Sequence, residues 1–225
     1  MTINKIRITL VLLLLNTVAI AQKSDYGNWL IYFGNKQINK KWNWHREMQL
    51  RNYNVLGDVE QLLLRTGIGY NLSENNNNIL LGYAFVNSNR YVANSNDKTS
   101  SNEHRIYQQF ITRQSFGRLN LLHRYRIEER FMADNVNVRF RYYLLLNLAI
   151  NKPSIQKGAI YASLYNEIFL NTKAPVFDRN RIYAGLGYVV NNNFRFELGS
   201  MAQVQESTTR SQFQLIVFNN IPYKK

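Results

Sequence analysis

The chain is 225 residues long, contains no cysteine and carries a formal net charge of +14. Without cysteine, disulfide staples and lipid attachment through an N-terminal Cys are excluded, so packing and hydrogen bonding must hold the fold. A basic balance suits nucleic acid, but here Lys falls in turns, loops and termini while Arg falls inside predicted strands, a separation that phosphate binding has no reason to produce.

Lys5 and Arg7 precede an apolar run over 8–20 and an Ala19-Ile20-Ala21 cleavage pattern, so 1–21 reads as a secretory signal peptide removed before Gln22. Residues 22–225 are expected to form a single domain, and no later apolar stretch is long enough for a membrane helix. The first candidate strand, 25–34, puts Trp29, Ile31 and Phe33 on one face. After a polar turn at 36–41, the stretch 42–53 alternates Trp44, Met48 and Leu50 against His45, Glu47, Gln49 and Arg51. Arg46 falls on the apolar side, a placement that suggests the membrane edge. Over 61–70, Leu62, Leu64 and Ile68 face one way and Arg65 the other. The stretch 79–87 is apolar on both faces, with Gly82 and Ala84 opposite Leu81, Tyr83 and Phe85.

Residues 88–102 form the longest irregular segment. Then 103–116 sets Glu103, Arg105, Tyr107, Gln109 and Arg113 on one face. The stretch 119–130, LNLLHRYRIEER, is the clearest of all: Leu119, Leu121, Tyr125 and Ile127 alternate with Arg124, Arg126, Glu128 and Arg130. A period of two marks a strand with two unlike faces. Arg139 and Arg141 face Phe140 and Tyr142 within 138–150. Tyr165 and Glu167 oppose Leu164 and Ile168 within 159–170. Arg181 opposes Ile182 and Leu186 within 180–190, and Arg195 and Glu197 oppose Phe194 and Phe196 within 194–204. The chain closes on 212–223, with Phe213, Leu215, Val217, Ile221 and Tyr223 on one face.

These are eleven candidate strands of about ten residues, the length a tilted strand needs to cross a bilayer. The expected fold is all-β: a closed, antiparallel, up-and-down transmembrane barrel of about 10–12 strands with an Arg/Glu-lined interior. A secreted lipocalin-like barrel would reverse the faces, apolar inside. Eleven leaves two readings open, an extra strand at 26–34 on a ten-stranded barrel or one crossing of twelve not recognised. The connections at 88–102, 131–137, 171–179 and 205–210 read as long and those at 117–118 and 191–193 as tight, which puts the end of the last strand in the periplasm. The last strand, ending in an aromatic, suits an insertion signal for the barrel-assembly machinery, although Asn219 and Lys224-Lys225 depart from that pattern.

The inward phase collects Arg51, Arg65, Arg105, Arg113, Arg124, Arg126, Arg130, Arg139, Arg141, Arg181 and Arg195 against Glu47, Glu103, Glu128, Glu167 and Glu197. Eleven against five can serve two ends. The groups cross-link the wall and fill a narrow bore, or the surplus forms an electropositive passage for small anions. A barrel-embedded hydrolase is the third class. Of His45, His104 and His123 only His45 has the inward phase, no nucleophile motif accompanies it, and no His pair has metal-ligand spacing. No catalytic residue, metal or cofactor is expected.

The motifs W-x-W-x-x-E-x-x-x-R at 42–51, E-x-R-x-Y-Q-Q at 103–109, R-Y-R-x-E-x-R at 124–130, Y-x-E at 165–167 and N-R-x-Y-x-G-x-G-Y at 180–188 resemble an uncharacterised domain-of-unknown-function family. Its members are exported, outer-membrane β-barrel-like proteins of Gram-negative bacteria. The resemblance implies the cell outer membrane as location and its lipid as partner, and it implies no activity.

Overall fold

Alternation of β-branched and aromatic residues with polar ones makes each segment extended, because only a period of two satisfies both faces of the wall. The computed structural model describes residues 26–55, 57–73, 76–133 and 135–223. The expected signal peptide, its cleavage point and Lys224-Lys225 lie outside them. Among the described residues there are eleven strands: β1 (Tyr26–Gln37), β2 (Trp42–Asn52), β3 (Val59–Asn71), β4 (Asn77–Tyr91), β5 (Lys98–Phe116), β6 (Leu119–Met132), β7 (Asn135–Ala149), β8 (Ile160–Asn171), β9 (Phe177–Val189), β10 (Phe194–Val204) and β11 (Thr209–Ile221). They form one closed barrel in which each strand pairs with its sequence neighbours and β1 pairs with β11.

The closure departs from strict antiparallel order. Ten pairs are antiparallel, and the seam between β1 and β11 is parallel, running from Tyr26↔Ser211 to Lys36↔Ile221. An up-and-down barrel with an odd strand number has no alternative, since its first and last strands point the same way. The stretch at 26–34 is therefore neither an appendage on ten strands nor a sign of twelve; it is a wall strand between β11 and β2. The two ends of the wall are called here the N-rim, where β1 begins, and the C-rim, where β11 ends.

The expected contrast of long and tight connections is also corrected. Residues 88–91 and 98–102 are strand, because β4 and β5 stay paired out to Tyr91↔Lys98, past the last β3 partner of β4 at Ser88. This hairpin projects from the N-rim. The longest connection, 150–159, lies instead at the C-rim, beside the tight turns at 117–118 and 190–193.

Outside, large apolar side chains stand exposed on every strand, among them Met48, Leu64, Leu81, Ile127, Phe140, Leu186, Leu198 and Phe213. A shallow apolar hollow of about 1100 Å³ runs along the outer wall past Ile68, Leu81, Phe110, Tyr125 and Phe140. Arg46, the outward arginine, lays its guanidinium over the Trp44 ring at 4.5 Å. Inside, tyrosine rings lie on glycines of the adjoining strand: Tyr107 covers Gly82 and Tyr161 covers Gly187, leaving no room for a Cβ at either glycine.

Candidate functional site

The inward phase converges in the bore as the alternation requires. Arg51, Arg65, Arg105, Arg126, Arg139, Arg141 and Arg181 are buried there with Glu47, Glu128, Glu167 and Glu197. Glu128 on β6 is fully buried and is the hub. Its carboxylate accepts from Arg141 Nη1 at 2.5 Å and Arg139 Nη2 at 2.6 Å, with Arg126 at 3.4 Å, Arg65 at 3.8 Å and Arg105 at 3.9 Å. A carboxylate offers about four lone-pair sites, so this one is saturated by guanidinium forks. Glu167 on β8 accepts from Arg141 at 2.6 Å and Arg124 at 2.7 Å, with Arg181 at 3.8 Å. Glu47 accepts from Arg65 at 2.5 Å, and Glu103 from Arg130 at 2.5 Å and Arg105 at 2.8 Å. Glu197 accepts the Tyr161 hydroxyl at 2.8 Å.

Several of these contacts skip strands and therefore cross the bore. Arg65 (β3) reaches Glu128 (β6), Tyr165 (β8) donates to Gln214 Oε1 (β11) at 3.1 Å, and Arg181 (β9) lies over Trp29 (β1) at 4.8 Å. Arg124 (β6) passes β7 to reach Glu167. Side chains thus meet at mid-height and divide the interior. A cavity of about 340 Å³ opens toward the C-rim and one of about 370 Å³ toward the N-rim, and Trp29, Arg51, Arg65, Arg141 and Arg181 line both.

Of the remaining inward arginines, Arg195 is half-buried in the C-rim cavity over the Phe218 ring at 4.3 Å, and Arg113 is exposed at the mouth of the same cavity. Arg124 and Arg130 are half-buried. His45 faces the bore 3.5 Å from Glu47 and stacks with Phe33, whereas His104 and His123 bond Tyr83 and Tyr142 on the outer wall. Among the described residues no group of three or more His, Asp or Glu is placed to hold a metal ion.

Two carboxylates of the network have the wrong phase for strict alternation, and each sits at a β-bulge. In β3 the register with β2 jumps from Gln61 to Val59, so Glu60 has no partner and turns to Arg210 at 2.9 Å. In β9 the register with β8 jumps from Arg179 to Phe177, so Asp178 turns to Arg139 at 2.7 Å and Arg179 at 2.9 Å. A bulge inserts one residue and re-aims a side chain. The expected lumen set is confined to charged residues, although Gln49 and Gln109 share its faces, and so it omits the glutamines that cap arginines: Gln49 and Gln61 accept from Arg51, Gln109 from Arg126, and Gln203 from Arg181. Their inward phase was the available signal.

The model of a family described as protein of unknown function (DUF2490) matches residues 26–214. That span takes in β1 through β10 and the first part of β11. No curated protein and no solved structure matches the chain.

Proposed function

We propose that this chain, which belongs to the DUF2490 family, is an outer-membrane β-barrel with a bore closed at mid-height, a scaffold with an electropositive lumen rather than an enzyme. The observation that carries this reading is its inverted polarity: arginine and glutamate are buried inside while large apolar side chains stand exposed around the outside. In water that outer face would drive aggregation, whereas acyl chains cover it at no cost. Strands of 11 to 19 residues meet or exceed the length a bilayer crossing needs. In this reading residues 1–21 direct export, and Phe213 and Leu215 on β11 present the apolar face that the barrel-assembly machinery engages.

Fractionation tests the location: the mature protein should pellet with outer membranes and need detergent for release. Recovery in the soluble periplasm refutes it. Planar-bilayer recording tests the closed bore, which should give no steady current with inserted protein. The surplus of inward arginine supports a second reading, an anion-selective channel. Such a channel conducts at low salt with chloride preferred, weakens in preference as salt screens the bore, and loses selectivity in the joint Arg124→Gln, Arg126→Gln, Arg139→Gln variant.

A further inference from the structure

The cavity toward the N-rim is chemically unlike an ordinary ligand pocket. Its wall holds ten arginines and only two glutamates, Glu60 and Glu103, with Trp29 and Phe169 among its few large apolar side chains. Counting the carboxylates behind the wall, Glu128, Glu167 and Asp178, does not bring the balance to zero. Guanidinium cations removed from water must be neutralised by carboxylate or by some other anion, because an uncompensated buried charge costs several kcal/mol.

The deficit is localised. Arg51 and Arg181 are both buried at the cavity floor and both lie against Trp29, at 3.8 Å and 4.8 Å from its ring. Arg51 gives its hydrogen bonds to the neutral carbonyls of Gln49 and Gln61. Arg181 gives its Nε to Gln203, and its nearest carboxylate, Glu167, stays at 3.8 Å. The indole Nε1 of Trp29, a residue only 4% exposed, has no hydrogen-bond partner. Above the floor, Arg179 and Arg210 extend the same charge toward the rim.

We infer that this cavity is a binding site for a compact polyanion of the phosphate class, seated on Arg51 and Arg181 beside Trp29. Planar guanidinium forks match phosphate oxygens in pairs, and two forks meeting at one floor from different strands favour an anion with at least two charges over chloride. The volume of about 370 Å³ lies at the small end of ligand pockets, which suits phosphate, pyrophosphate or a sugar phosphate rather than an oligosaccharide. Glu60 on Arg210 and Glu103 on Arg105 and Arg130 leave those side chains partly satisfied, so the floor carries the affinity. The inference rests on the closed-bore reading, since a floor requires the septum beneath it.

The test uses the full mature chain in detergent micelles, where neither conductance nor membrane residence enters. Trp42→Phe and Trp44→Phe leave Trp29 as the one indole. Inorganic phosphate and pyrophosphate are titrated at ionic strength held constant with sodium chloride, with Trp29 fluorescence and thermal unfolding as readouts. Saturable change in both, tighter for pyrophosphate than for phosphate, is expected. Arg51→Gln with Arg181→Gln should weaken it about tenfold or more, the loss of charge-assisted donors. Should that pair fail to fold, Arg179→Gln with Arg210→Gln provides the second measure, with weaker binding expected. No saturable response, an equal response to chloride, or affinity untouched by the variants overturns the site. An open channel found in bilayers with phosphate binding intact would refute the closed bore alone.

Discussion

Arg65 on β3 and Glu128 on β6 belong to strands with two others between them in the wall, yet their side chains approach to 3.8 Å across the bore. The contact is long for a hydrogen bond and matters as geometry: it shows that the interior is narrow enough for side chains of non-neighbouring strands to meet. Glu128 is then the one anion around which five guanidiniums are arranged.

Removing that anion should be far more damaging than removing a rim carboxylate. Glu128→Gln keeps the shape and strands several buried cations, which costs about 3–5 kcal/mol. Glu103→Gln, on a half-buried residue nearer the N-rim, should cost clearly less. Urea unfolding in micelles, read by the loss of heat-modifiable mobility, ranks the two. Equal losses would show that the hub is not where the structure puts it.

The tyrosine–glycine contacts make a second, independent prediction. Tyr161 lies on Gly187 of the neighbouring strand and donates to Glu197. Gly187→Ala forces the ring away, a strain of about 1–3 kcal/mol, and also breaks the Glu197 bond. Tyr161→Leu removes the obstacle, so the double variant should be less destabilised than the sum of the two single ones. Strict additivity in the unfolding free energies refutes the contact as the cause.

Much of this was legible in the sequence because alternation fixes which way each side chain faces. Arg126 and Glu128 had to share a face of their strand, and Trp29, Ile31 and Phe33 a face of theirs; the structure turns both faces into the bore. Pairing is a different matter. Nothing in the period of 25–34 says whether that strand lies inside the wall or beside it, because the parallel seam depends on the total strand count. Glu60 and Asp178 escaped for a local reason: a bulge breaks the alternation at one residue, and sequence reading propagates the phase unbroken. The reach of 88–102 was missed because Thr99, Ser100, Ser101 and Asn102 are exposed on both faces. Beyond the rim no buried face remains to impose a pattern.

That projecting hairpin is tied down by a polar latch at the N-rim. Asp58, in the connection between β2 and β3, accepts from Tyr91 at 2.7 Å and from Lys98 Nζ, and Lys98 also lies over the Tyr53 and Tyr91 rings. Burial is the largest single influence on the Asp58 carboxyl and raises it, but the Lys98 and Tyr91 bonds and the Lys98 charge together outweigh it and hold it below its usual value of 3.8. A depressed carboxyl contributes order above its unfolded value and loses that contribution as pH falls through the folded one. Amide exchange at the tip of the hairpin, 92–97, should therefore stay slow at neutral pH and quicken, relative to the intrinsic rate, below about pH 4. In Asp58→Asn the tip should exchange fast at every pH. A variant matching the parent at neutral pH would remove Asp58 from the latch. Because the groups are largely exposed, global stability should hardly change.

The parallel seam can be tested directly, because the chain has no cysteine of its own. Leu30 on β1 is the register partner of Leu215 on β11 and also of Leu50 on β2, so β1 stands between the other two. Neighbouring strands lie about 4.8 Å apart, within reach of a disulfide, whereas strands once removed are about twice that and out of reach. Leu30→Cys with Leu215→Cys should oxidise to an internal cross-link that holds the first and last strands together in denaturing gels. Leu50→Cys with Leu215→Cys should remain reduced under the same oxidant. All three leucines face outward, so neither pair disturbs the charged interior, and both variants should fold. A ten-stranded barrel closed by β2 against β11 reverses the result, with the second pair linking and the first not. That reversal would displace β1 from the wall and take with it the placement of Trp29 between Arg51 and Arg181.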